Sequence, residues 1–146
     1  MSDSYLARDI MISAVATIPR GASLLDAAIA MRRSSIRHLP IVDGERLVGI
    51  ITERDVHRCA PSLLSEITQE EYNAIFENTP IERVMSRDPI TVAPDTPVRE
   101  VVSILLERKM GCLPVIDGGR LVGIITRSDL LNMLLNFLPV PPEPAA

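Results

Sequence analysis

One stretch, Leu39 to Asp55, limits what this chain can fold into, because it occurs twice. LPIVDGERLVGIITERD returns 74 residues later, without a gap, as LPVIDGGRLVGIITRSD from Leu113 to Asp129. Of the 17 paired positions 12 are identical, and Ile41/Val115 and Val42/Ile116 only exchange β-branched residues. The same shift aligns Ile10-Met11 with Val84-Met85, and Ala16-Thr17-Ile18 with Ile90-Thr91-Val92. Two copies are too few for a solenoid or a propeller. They point to a pair related by a pseudo-twofold axis.

Each copy reads as β-α-β-β-α. In the first, Tyr5 to Met11 suits a short lead-in helix, and Ala14 to Ile18 an apolar strand ended by the turn residues Pro19-Arg20-Gly21. Ser23 and Asp26 form a capping-box pattern ahead of Leu24, Ala28 and Met31 at helical spacing. His38 to Val42 and Leu47 to Ile51 read as a hairpin turned at Asp43-Gly44, and Thr52-Glu53-Arg54-Asp55 opens another helix. In the second, Thr96-Pro97 starts a helix whose Val98, Val101, Val102, Leu105 and Leu106 make one apolar stripe. Leu113 to Ile125 repeats the hairpin, and Thr126 begins a last helix that should run through Leu138. Residues 59–82 have no counterpart and read as a partly helical linker, with a helical patch at Glu70 to Phe76; it either covers one edge of the fold or offers a partner-specific surface. The tail, residues 139–146, is Pro-rich and should be mobile. A copy of ~50 residues cannot bury enough surface alone. The expected fold is therefore α+β, the two copies (8–58 and 83–136) packed sheet to sheet as one unit.

Composition removes several function classes. Aromatics are 3% of the chain with no Trp, so there is no platform for stacking bases. A net charge of −4 without a basic run argues against direct nucleic-acid binding. No apolar run approaches the ~20 residues of a membrane span, and MSDSYLARDIM lacks the pattern of a signal peptide. Two cysteines, Cys59 and Cys112, cannot make a disulfide scaffold and suit a reducing compartment. A cytoplasmic location without membrane contact is expected. His38, His57, Cys59 and Cys112 lack the paired spacing of a zinc site, and nothing marks an activated thiolate, so neither a metal nor a catalytic residue is expected.

The order LP[IV][IV]DG…RLVGIIT-x-x-D, preceded by a Met-x(5)-Thr strand and a helix, resembles the CBS domain, and two copies resemble a CBS pair or Bateman module. The likeness covers Arg8 to Leu134. It is strongest to stand-alone bacterial CBS-pair proteins of the acetoin-utilisation B type, through His38-Leu39-Pro40-Ile41, Gly111-Cys112-Leu113-Pro114-Val115 and Ala60-Pro61-Ser62. The resemblance implies that the module is the whole protein. It further implies a regulatory sensor of adenosine-containing ligands (AMP, ADP, ATP, S-adenosylmethionine and similar), a homodimer, and an unknown regulated protein. No obligatory cofactor is implied, the nucleotide being the regulatory ligand.

Carried over residue by residue, the family's ribose- and phosphate-binding Thr-x-x-Asp is Thr52 and Asp55 in one site and Thr126 and Asp129 in the other. The adenine pockets are then Thr17, Ile18, His38, Leu39 and Pro40, and Thr91, Val92, Cys112, Leu113 and Pro114. The chemistry is sensible on its own terms, since a carboxylate accepts two hydrogen bonds from a cis-diol and a helix start suits phosphate. The same tetrapeptide is also a plain helix cap. Arg37, His38 and Arg54 flank the first site, against Gly111, Cys112, Arg127 and Lys109 at the second. The first should therefore take a charged phosphate better, and single occupancy is expected. Two further readings stand beside the sensor: a structural or partner-binding dimer with vestigial nucleotide sites, and an enzyme of unknown type.

Overall fold

The structure, a computed structural model, describes residues 4–61 and 66–145. A one-turn helix α1 (Ala7–Ile10) leads to strand β1 (Ile18–Pro19), helix α2 (Leu24–Ser34), the hairpin β2 (His38–Asp43) and β3 (Arg46–Thr52), and helix α3 (Glu53–Cys59). The linker contains α4 (Gln69–Glu77), and a 3-10 turn at Ile81–Arg83 leads to β4 (Ser86–Arg87). Helix α5 (Val98–Arg108), the hairpin β5 (Cys112–Asp117) and β6 (Arg120–Thr126), and α6 (Arg127–Leu135) complete the second copy. The four linker residues 62–65 lie outside the described residues, as does Ala146 in the tail.

The local signals act as their chemistry requires. Ser23 N–H donates to Asp26 Oδ2 at 3.0 Å and Asp26 N–H to Ser23 Oγ at 3.2 Å, closing the capping box at the start of α2. The helix ends at Ser35, whose left-handed φ of +52° reverses the chain. Lys109 does the same after α5 at +52°. Gly44 turns the first hairpin at φ +64°, and Gly118-Gly119 turn the second at +57° and +82°. Both hairpins carry an irregularity at the same place, between Ile41 and Val42 and between Val115 and Ile116.

The two copies exchange their lead-in segments. Ile12 pairs with Ile124 of the second hairpin, while Ser86 pairs with Ile50 of the first. Ala7, fully buried, sits with Val92, Val101, Leu105, Leu113, Val115 and Ile125 in the second core. Ile81 and Met85 sit in the first, with Ile18, Leu24, Leu39, Ile41 and Ile51. This crossing explains why the expected strand at Ala14 to Ile18 shrinks to Ile18–Pro19. Residues 13–17 bridge from the second hairpin to the first and have no neighbour to pair with until Ile18 meets Ile41. Glycines permit the crossing, because Met11 lies against Gly123 and Met85 against Gly49 where a side chain would stand.

Two other boundaries shift for physical reasons. Pro97 is the N-cap of α5 rather than its first residue, with the Thr96 hydroxyl turned back to accept from Ala93 N–H at 3.0 Å. Helix α6 stops at Leu135 instead of Leu138, and Asn136, Phe137 and Leu138 continue as tight turns up to Pro139, which has no amide to donate. The two halves form one six-stranded sheet in the order β1-β2-β3-β6-β5, with β4 beside β3. They join at a single rung, Arg46 opposite Arg120, and enclose a small cluster of Ile50, Cys112, Ile124 and Val15.

Candidate functional site

Each Thr-x-x-Asp lies where a returning strand becomes a helix. Thr52 donates to Asp55 Oδ2 from its amide and its hydroxyl, both at 2.9 Å, and Asp55 N–H donates back to Thr52 Oγ1 at 3.2 Å. In the second copy Thr126 donates to Asp129 Oδ2 at 2.7 and 3.0 Å. Both carboxylates are half-buried, and each cap uses one oxygen, leaving Oδ1 for another donor. Arg58 approaches that oxygen of Asp55 only to 4.0 Å. The first amide of each helix is already taken, Glu53 N–H by the Arg37 carbonyl at 2.9 Å and Arg127 N–H by the Gly111 carbonyl at 3.2 Å. Those bonds fix the segment before β2 and β5 beside the caps. They also reduce the amides left for a phosphate at α3, where Asp55 N–H is occupied too.

The residues expected to line adenine pockets fall into two groups. Ile18, Leu39, Pro40, Val92, Leu113 and Pro114 are buried in the cores, so they offer backbone edges and shape rather than free side chains. Thr17 and Thr91 are exposed. Thr17 lines a cleft of about 360 Å³ between the halves, with Ser13, Val15, Val42, Glu45 and Arg120. Arg120 crosses the seam there to Glu45 at 3.0 Å. Val15, Glu45 and Arg120 escape sequence reasoning because the repeat states which positions are equivalent, not which copy faces which.

His38 shows the same effect. Its imidazole lies across the axis against Gly111, where a Cβ would collide with Nε2. Burial, reinforced by the Arg37 and Arg127 guanidiniums, holds its pKa below the usual histidine value, so the ring is neutral at neutral pH. His38 thus joins Gly111 and Arg127 rather than only the residues of its own copy. Arg37 points to Glu53 at 3.6 Å, Arg127 donates to the Met110 carbonyl at 3.0 Å, and Arg54 is exposed. Cys112, equivalent to His38, is buried, and burial pushes its thiol up to about 12, which keeps it protonated and unreactive. Among the described residues no group of three or more His, Cys, Asp or Glu could hold a metal ion, and no helix is long and apolar enough to cross a membrane.

The CBS domain family matches residues 7–61 and 66–136, one match per copy. The chain belongs to the CBS-domain family. A CBS domain-containing protein of Dictyostelium discoideum is 34% identical over 141 residues, spanning 94% of this chain and 97% of its own length. The chain spans only 13% to 43% of other curated relatives, several of them enzymes carrying a similar segment. Among solved structures, a candidate acetoin utilization protein (AcuB) from Vibrio cholerae is 36% identical with a TM-score of 0.77, covering 92% of this chain and 93% of that one. The CBS domain pair of protein MJ0100, in complex with 5′-methylthioadenosine and S-adenosyl-L-methionine, is 30% identical with a TM-score of 0.77, covering 92% and 99%. This CBS pair is of a kind that is in general regulatory and ligand-binding rather than catalytic. In CBS terms, each motif presents one cap carboxylate, and His38 of motif 1 meets Gly111 and Arg127 of motif 2.

Proposed function

We propose that this CBS pair is a cytoplasmic regulatory module that binds an adenosine-containing ligand between its motifs and passes the signal, as a homodimer, to a separate regulated protein. The observation that carries this reading is the duplicated Thr-x-x-Asp, whose carboxylate keeps one oxygen beyond the needs of its cap. A half-buried carboxylate oxygen that its cap does not use suits a ribose hydroxyl, although neither aspartate lines the cleft that Thr17 lines. In the first site Thr52 and Asp55 take the ribose, Thr17 and the backbone of Ile18, Leu39 and Pro40 flank adenine, and Arg37 and Arg54 meet phosphate. In the second, Thr126, Asp129 and Arg127 do so beside Thr91, Val92, Gly111, Cys112, Leu113 and Pro114. The neutral His38 ring is an edge donor or acceptor for a base rather than a phosphate cation. The complex of the similar MJ0100 pair with methylthioadenosine and S-adenosylmethionine supports this ligand class. The ligand signals only by preferring one state of the pair or dimer.

The test is titration calorimetry with AMP, ADP, ATP and S-adenosylmethionine on the wild type, Asp55→Asn and Asp129→Asn. Asparagine retains a carbonyl for the cap but replaces the free acceptor with an NH₂. Loss of one hydrogen bond to a charged group, ~1.5–3 kcal/mol, weakens binding at the altered site about 10- to 100-fold. Wild-type protein that takes up none of the four at millimolar concentration supports the second reading, a structural or partner-binding dimer with vestigial sites. One observation favours that alternative: the first helix amides and one oxygen of each aspartate are already satisfied internally.

A further inference from the structure

The linker helix α4 roofs motif 1 without closing on it. Phe76 is buried in the first core and Tyr72, one turn earlier, stacks on it at 4.8 Å. Between α4 and the pair α2/α3 a groove of about 830 Å³ nevertheless stays open. Small-molecule sites run to ~300–1,000 Å³. A helix that served only to cover apolar surface would settle onto it and leave no such space. The floor is apolar, with Met31, Val56 and Phe76 buried and Ile36 half-buried. One of the chain's two Tyr and one of its two Phe stand in the wall, a large share of a scarce residue type.

The rim is cationic on a chain whose net charge is −4. Arg32, Arg37 and His57 line it against one carboxylate, Glu53, which already serves Arg37 at 3.6 Å and His57 at 3.9 Å. Arg32 pairs with no carboxylate among the described residues. Helix α4 keeps its exposed Glu70, Glu71 and Glu77 off the groove and lines it with Gln69 and Asn73 instead. The Gln69 amide donates to the Asn73 carbonyl at 3.0 Å, which leaves the Asn73 amide as a donor. The repeat shows that the fold does not need this rim. The 74-residue shift takes Arg32, Arg37, Glu53 and His57 to Leu106, Gly111, Arg127 and Leu131, and α5 and α6 form without those charges.

We propose that the α2/α3/α4 groove is a second ligand site, distinct from the Thr-x-x-Asp caps, for a small anionic amphiphile such as a medium-chain carboxylate. Its apolar body lies on Met31, Ile36, Val56 and Phe76 beside the Tyr72 ring, and its anionic head meets Arg32 and His57 at the rim. The unpaired guanidinium supplies the charge complementarity, and the aliphatic floor supplies the affinity that grows with chain length. The site is independent of nucleotide binding.

The test is a titration of the full ¹⁵N-labelled chain with octanoate, followed by amide chemical shifts. Saturable shifts are expected in α2, α3 and α4. Hexanoate, two methylenes shorter, binds about tenfold more weakly. Arg32→Leu with His57→Leu, which installs the residues motif 2 carries at the matching positions, weakens octanoate about fivefold and leaves neutral octanol unchanged, with an unaltered circular dichroism spectrum. No saturable shift at millimolar octanoate, shifts confined to α5 and α6, equal affinity for hexanoate, or a double variant that binds octanoate as the wild type does would each overturn the proposal. So would groove signals that move on dilution of the protein and not with octanoate, since a second copy would then be the occupant. The chain-length comparison on the wild type needs no variant.

Discussion

A methyl group at Gly123 would lie 2.5 Å from Met11 Sδ, 2.8 Å from its Cγ and 3.1 Å from its Cβ. One at Gly49 would lie 2.6 Å from Met85 Sδ and 2.9 Å from the Ser86 carbonyl oxygen. Either Gly→Ala change forces the exchanged lead-in segment away from the sheet that it clasps. Overpacking of this kind costs about 1–3 kcal/mol. The two motifs differ, however, in what can relieve it. All three near atoms at Gly123 belong to Met11, so Met11→Ala removes the two worst and leaves a Cβ that needs to give only a few tenths of an ångström. At Gly49 the Ser86 carbonyl belongs to the β3–β4 pairing and remains when Met85 is shortened. Truncating partly buried Met11 costs ~1–2 kcal/mol by itself, below the 2–5 kcal/mol of a fully buried methionine. The expected double-mutant cycle therefore couples Gly123→Ala and Met11→Ala by ~1–2 kcal/mol in the rescuing direction, with a smaller coupling for Gly49→Ala and Met85→Ala. Urea denaturation of the four single and two double variants reads both couplings from the midpoints. Strict additivity at Gly123/Met11, or equal rescue in the two motifs, refutes the clasp as described.

The titratable groups at the seam give two more expectations. His38 has its folded-state pKa held below the ordinary histidine value of 6.5 by burial and by Arg37 and Arg127. The unfolded chain therefore takes up a proton that the folded chain resists, so stability is full above pH 6.5 and falls as the pH drops from there through the native pKa. Denaturation between pH 5 and 7.5 should show that slope in the wild type and a shallower one in His38→Gln. Cys112, with its thiol at about 12, should resist a thiol reagent at pH 8 in the folded protein and react only on unfolding, while half-buried Cys59 reacts first; a Cys112 as fast as Cys59 contradicts that burial.

Much of the fold is legible locally because its signals are local. The Ser23/Asp26 box, the Asp43-Gly44 turn, the apolar stripe of α5 and the two Thr-x-x-Asp caps each act within a few residues, and each forms where the sequence places it. The apolar segment Ala14 to Ile18 fails as a strand because a strand needs a neighbour, and its neighbours depend on a crossing set by residues more than 100 positions apart, Ile12 and Ile124. The same limit governs the candidate site. Thr52 and Asp55 are found from their own tetrapeptide, whereas the meeting of His38 with Gly111 and Arg127 depends on how two nearly identical motifs face each other. An exact repeat is silent on that point, since either orientation satisfies its internal pattern.

The exchanged lead-ins also bear on the order in which the chain can mature during synthesis. The first core lacks Ile81 and Met85 until those residues have been made, so the repeat that emerges first cannot finish before the second has begun. Meanwhile Ile12, just beyond α1, is made long before its pairing partner Ile124. Folding one motif at a time, the usual habit of tandem units, is closed to this chain. Its two halves mature together, and a nascent chain stalled in the linker holds a clasp with nothing to close on.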